Sequence, residues 1–152
     1  MSLKLKVPPL VVFATALFIM WGINQLWPIY LISYSIRMWG TIIMLLLASA
    51  TGFWAVTIFF QNSTTINPHK PKKAAKLITS GIYQYSRNPM YLGLLLSLIA
   101  ASIYFGNPLT IPIWFLFTAY MNYFQIKPEE QIMRRKFGEA YLLYQLDVPR
   151  WI

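Results

Sequence analysis

Apolar residues run almost unbroken through three stretches of the chain, 7–36, 38–69 and 88–126, and with the histidine neutral none of the three carries a formal charge. About 20 residues at ~1.5 Å each suffice for a helix to cross the hydrocarbon of a bilayer, so each stretch has room for a span. The third is too long for one. Its 39 residues, as a single helix, would run to roughly 58 Å against a core of about 30 Å. Gly106-Asn107-Pro108 supplies the break, since Gly and Asn tolerate left-handed backbone and Pro cannot continue a helix. The pattern predicts an all-α integral membrane protein, a single domain over residues 1–152, with four spans at 10–31, 38–60, 89–105 and 109–126. Segments 61–88 and 127–152 are left outside the lipid.

Composition agrees: 57% of residues are hydrophobic and only 11% charged, far from the balance of a soluble domain. The thirteen basic residues are bunched, and they orient the spans. Alternating sides along the chain places twelve of them on one face and leaves Arg37 alone on the other. Both termini and the central loop are therefore expected in the cytoplasm, with a prokaryotic inner membrane as the default location because no organelle signal is present. The net charge of +9 is a topology signal and an attraction to anionic headgroups, not a nucleic-acid footprint. No small-x-small cleavage pattern precedes Trp21, so the first apolar run is expected to be retained.

The residue inventory removes several chemistries. Without cysteine there is no thiolate nucleophile, disulfide or Cys-ligated metal, and His69, in the proline-punctuated Asn67-Pro68-His69-Lys70-Pro71, cannot make a metal site alone. Neither a serine triad with a credible base nor a Gly-rich phosphate loop is present, and no metal is expected.

What remains is concentrated at two places. Residues 61–88 form a long polar connection ending in Tyr83, Tyr85, Arg87, Asn88, Pro89 and Tyr91. An aromatic belt explains tyrosines at an interface. It does not explain Arg-Asn-Pro-x-Tyr, with Asn88 at the cap and Pro89 at the first helical position, which turns helix-end N–H groups and Arg87 toward the same interface. The second place is Lys127-Pro128-Glu129-Glu130, where the first of the chain's four acids occur. Glu130 has Arg134 at i+4 and an exposed ion pair as its ordinary role, whereas Glu129 has Met133 there and is freer to meet a ligand. Beyond them, Met133, Phe137, Ala140, Tyr141 and Tyr144 repeat at helical spacing, predicting an interfacial amphipathic helix.

From Leu77 to Trp151 the chain resembles the isoprenylcysteine carboxyl methyltransferases and their phospholipid-methyltransferase relatives, integral membrane enzymes that use S-adenosylmethionine. The resemblance is carried by Leu77-Ile78-Thr79-Ser80-Gly81-Ile82-Tyr83, Arg87-Asn88-Pro89-Met90-Tyr91-Leu92-Gly93, Glu129-Glu130, Phe137-Gly138-Glu139-Ala140-Tyr141, Tyr144 and Val148-Pro149-Arg150-Trp151. It implies a cofactor site at Ala75, Lys76, Leu77, Ile78, Gly81, Tyr83, Asn88, Pro89, Met90, Tyr91 and Glu129. Two positions depart from the prenylcysteine enzymes. Asn88 stands where they carry His, and Gln125, the implied substrate contact, stands where they carry a substrate-binding Arg. A prenylcysteine carboxylate would meet no fixed positive charge at Gln125.

Methyl transfer suits the residue inventory. A sulfonium donor is already activated, so displacement needs alignment and exclusion of water but no metal and no covalent nucleophile. The expected roles are Glu129 on the cofactor's ammonium or ribose hydroxyls, Tyr83 and Tyr91 against its adenine or sulfonium, and Arg87 on its carboxylate or paired with a glutamate. Arg87, Tyr91 and Glu130 are the catalytic candidates, Glu130 as the spare base an amine acceptor would need. A lipophilic acceptor is expected to arrive from the membrane between spans three and four, along Gly93, Ser97 and Ala101, a face that helix packing would also explain. Two other readings share these features: an NADPH-dependent membrane reductase of the sterol type, and a non-catalytic lipid-binding membrane protein.

Overall fold

The computed structural model describes residues 5–61 and 77–152, and among them every regular element is helical. Helix α1 (Pro9–Leu26) opens with proline at its first position, where no N–H is needed. It ends five residues earlier than its hydrophobic run, because Pro28 bars the residue before it from the helical region. Helix α2 (Tyr34–Gln61) starts earlier than expected and takes Arg37 into its first turn. Both are long and apolar enough to cross a membrane. Their surfaces agree with that, for side chains such as Phe18, Trp39, Leu46 and Phe53 stand exposed around them.

Helix α3 (Pro89–Phe105) has the limits expected from its proline and glycine. Gly106 takes φ 64°, and its N–H bonds back to the Ser102 and Ile103 carbonyls to close the last turn. The reversal after it is pinned across the bundle: Asn107 accepts from the Leu109 N–H at 3.0 Å and donates to the Trp27 carbonyl at 2.6 Å. After a short 3₁₀ turn, helix α4 (Ile111–Tyr120) runs back antiparallel.

At Lys127-Pro128 the chain stays helical. A π segment over Met121–Ile126 leads directly into α5 (Lys127–Phe137), the Lys127 N–H reaching five residues back to Asn122. Pro128 has no N–H for the Phe124 carbonyl, and the Leu5 N–H supplies one from outside at 3.0 Å. Gly138, at φ 55°, then divides the expected single C-terminal helix into α5 and α6 (Glu139–Asp147). Four of the five stripe residues still converge, with Tyr141 and Tyr144 buried against Met133 and Phe137, while Ala140 is exposed.

One core joins α1, α3 and α4 through Ala16, Met20, Leu98, Ile113, Phe117 and Met121. A second closes the far end of α2, where Ala55 and Ile58 meet Ile78, Ile82 and Tyr83. Helices α2 and α3 approach closely along Gly93: a Cβ there would lie 3.2 Å from the Ala48 carbonyl oxygen and 3.4 Å from the Gly52 nitrogen. The small-residue face at Gly93 is therefore closed by α2.

Candidate active site

The polar groups at one end of the bundle meet where three segments converge: the connection before α3, the first turn of α5, and the extended residues after α6. Gly81 starts a 3₁₀ turn over Gly81–Gln84 at φ 60°, its missing Cβ making room for Ile58, whose Cδ1 would otherwise be 2.5 Å away. The turn buries Tyr83 against Phe59, ring centroids 5.5 Å apart, and the Tyr144 hydroxyl donates to the Tyr83 carbonyl at 2.7 Å. Burial raises both hydroxyls well above the usual tyrosine range.

Glu130 is the hub of the framework. Arg150 donates to both its oxygens, Nε at 3.0 Å and Nη2 at 2.7 Å, and Arg87 Nη1 lies 2.9 Å from the first of them in charge contact off the hydrogen-bond line. Two guanidiniums occupy this buried carboxylate, so Glu130 is no spare base and makes no i,i+4 pair with Arg134, which instead donates to Gln145 at 2.6 Å. Arg87 is correspondingly a partner of a glutamate. The backbone repeats the clasp: the Arg87 N–H donates to the Pro149 carbonyl at 3.0 Å. Tyr141 lies in this field, its hydroxyl pushed up to about 12 by burial, with Glu130 adding to the rise and Arg87 opposing it.

Asn88 sits at the N-cap position but its side chain caps nothing; Nδ2 donates to the Arg150 carbonyl at 2.9 Å. Its amide helps to hold the C-terminal segment in place. Pro89 is buried, and Met90 packs partly against the Tyr83 cluster. Gln125 is fully buried and donates to the Val7 carbonyl, with Oε1 left without a partner. That ties it to the segment before α1. Leu77 and Ile78 pack under α6 and α2 respectively, while Ala75, Lys76 and His69 lie outside the described residues.

Glu129 differs from its neighbour in every respect. It accepts a hydrogen bond from the Tyr91 hydroxyl at 2.6 Å, and among the described residues no cation pairs with it. Burial raises its carboxyl to about 8, the Tyr91 hydrogen bond working against the rise and the Glu130 carboxylate adding to it. A carboxyl so placed is largely protonated at neutral pH and would ionise for an incoming cation. Beside Tyr91, a cavity of about 560 Å³ lies between Pro9 and Leu10 of α1, Gly52 and Phe53 of α2, and Met90 and Leu94 of α3. It is apolar and opens to the surface beside the exposed Leu10 and Phe53.

The sequence profile of the phospholipid methyltransferase family matches residues 36–140, more than half the chain, from the first turn of α2 through the whole of α5. The chain belongs to the phospholipid methyltransferase family. Among curated relatives, Protein-S-isoprenylcysteine O-methyltransferase B of Arabidopsis thaliana is 30% identical over 49% of this chain. Protein-S-isoprenylcysteine O-methyltransferase of Xenopus laevis is 29% identical over 71% of it, and each alignment covers 38% of the relative's own length. An uncharacterized protein of Haemophilus influenzae is 41% identical over 41% of the chain and is covered over its whole length. No solved structure matches. Family membership and the apolar helices together make this a membrane protein of methyltransferase descent. Sequence reasoning within that frame missed Arg150, which has Asp147 three residues before it in sequence and reaches Glu130 only through the fold.

Proposed function

We propose that the protein transfers a methyl group from S-adenosylmethionine to a lipophilic acceptor drawn from the membrane, with α3 and α4 crossing the bilayer beside α1 and α2 and both termini in the cytoplasm. The observation that carries the reading is the contrast between Glu130, neutralised by two arginines, and Glu129, half-buried beside it with a tyrosine and no cation among the described residues. A carboxyl held ready in this way fits the ammonium or ribose hydroxyls of the cofactor. S-adenosylmethionine, when bound, supplies a methyl group already activated on a sulfonium. The chain's own work is then binding and alignment. Tyr91 orients Glu129, Tyr83 offers a buried aromatic face nearby, and Arg87, whose Nε is buried without a hydrogen bond, fixes the loop that carries Asn88 and Pro89.

The acceptor's apolar part fits the cavity among α1, α2 and α3, which reaches Tyr91 directly and keeps water from the transfer. This route takes the place of one between spans three and four. The proposed cofactor contacts are thus Leu77, Ile78, Gly81, Tyr83, Asn88, Pro89, Met90, Tyr91 and Glu129. Calorimetric titration of detergent-purified protein tests the reading. Saturable binding of S-adenosylmethionine and S-adenosylhomocysteine, without binding of NADPH, is expected; NADPH binding alone would overturn it in favour of a reductase.

A further inference from the structure

At the other end of the bundle a second cavity, about 500 Å³, opens among the last turn of α1, the start of α2 and the end of α3. Arg37 lines it. Its Nη1 donates to the Phe105 carbonyl at 3.1 Å and the Tyr104 carbonyl at 3.4 Å, capping α3, and its guanidinium lies 4.8 Å from the centre of the Tyr30 ring. Capping accounts for that nitrogen and cation–π contact for part of the charge.

Two atoms remain unexplained. Arg37 Nε and Asn24 Oδ1 are buried with no hydrogen-bond partner, and both residues line the same cavity. Arg37 Nε is a donor without an acceptor and Asn24 Oδ1 an acceptor without a donor, and all four acids of the chain, Glu129, Glu130, Glu139 and Asp147, lie in α5 and α6, away from the arginine. Arg37 Nε is a buried donor on a fixed positive charge, the group a phosphate oxyanion takes, and the Asn24 carboxamide, turned over so that its nitrogen replaces its oxygen, adds a second donor. Tyr34 and Trp21 complete an amphipathic wall of the kind found at headgroup depth.

We propose that the Arg37 cavity is a phosphate-binding site, filled by the headgroup of a phospholipid or by free phosphate, independent of the methyl-transfer site. Occupancy satisfies Arg37 Nε and holds the α1–α2 connection against the end of α3, to which the Leu31 N–H is already bonded through the Gly106 carbonyl at 3.3 Å.

The test uses the whole protein, delipidated in a neutral detergent and titrated with dihexanoyl phosphatidylglycerol, with dihexanoylglycerol, which has the same tails and no phosphate, and with inorganic phosphate. Native mass spectrometry reads occupancy, and S-adenosylmethionine binding checks that each variant remains folded. Saturable binding of the phospholipid, none of the diacylglycerol, and a loss of about tenfold or more in Arg37→Gln and of severalfold in Asn24→Leu are expected. Asn24→Leu matters because it leaves the Arg37 cap intact. Displacement by millimolar inorganic phosphate would identify free phosphate as a sufficient ligand; phospholipid binding that phosphate does not displace would identify the headgroup. Equal affinity in folded Asn24→Leu and Arg37→Gln proteins, equal binding of the diacylglycerol, or no saturable binding of phospholipid or phosphate would overturn the proposal.

Discussion

The two ends of the helix bundle treat arginine in opposite ways. At one end Arg87 and Arg150 share one buried glutamate, and the segments that carry them are stitched together by the Arg87 N–H on the Pro149 carbonyl as well. At the far end Arg37 has helix carbonyls and tyrosine faces but no anion from its own chain. The first arrangement builds a frame that is complete without a ligand and leaves the adjacent Glu129 unneutralised. In the second, the charge itself is left over. A charge that the fold has satisfied supports a site, and a charge it has not satisfied is the site.

Removing the hub should break the contrast most severely. Glu130→Ala leaves two guanidiniums facing each other in a buried setting, and a loss of about 3–5 kcal/mol is expected in thermal or denaturant unfolding of the detergent-solubilised protein. Glu130→Gln is expected to lose less, because it keeps the shape and an acceptor. If Glu130→Ala unfolded like wild type, the hub would be peripheral and Glu130 would return as a candidate base.

Glu129→Gln sharpens the same comparison from the other side. Folding should survive, while S-adenosylmethionine affinity falls by about 1.5–3 kcal/mol, the weight of a hydrogen bond to a charged group. The pH profile is more specific. With the free carboxyl at about 8, affinity for the cationic cofactor should climb roughly tenfold per pH unit from about pH 6 toward 8 and then level off, and Glu129→Gln should be flat. Stability runs the other way. A carboxyl whose folded pKa is raised favours the folded state fully below its unfolded value near 4.5, and that contribution is lost as pH rises through about 8. Unfolding of the free protein across that window, wild type against Glu129→Gln, measures it.

At the far end, Gly106→Ala forces an L residue into a left-handed backbone and sets its Cβ 2.5 Å from Arg37 Cδ. The backbone term alone is about 1–2 kcal/mol, and the displaced Arg37 should also weaken phosphate binding. Tyr91→Phe is the mildest change, removing one hydroxyl from Glu129 at about 1 kcal/mol in cofactor affinity and raising the carboxyl further, which would shift the affinity profile to higher pH.

Much of the frame was legible in the sequence because local chemistry decides it. Pro89 and Gly106 mark the ends of α3, and Gly106-Asn107-Pro108 the reversal, by what their own backbones allow. Pro28 was just as local, and a hydrophobic run carried past it concealed the end of α1. The continuous passage from α4 into α5 was not legible, since it depends on a donor from Leu5 far away in the chain. The same holds for the site. Tyr91 and Glu129 were brought together by family likeness, whereas the partner of Glu130 was masked by Arg134, a helical neighbour that periodicity supplies and folding declines in favour of Arg87 and Arg150.

The clasp on Glu130 also sets an order of events during synthesis. The ribosome delivers Arg87 first, Glu130 next and Arg150 after both. Without Arg150, Glu130 would keep one guanidinium, and the Asn88 amide would lack the carbonyl it bonds. The apolar helices can settle in lipid while the pocket beside Tyr91 is still unframed. The frame of the pocket thus depends on a support that the chain supplies after all the others.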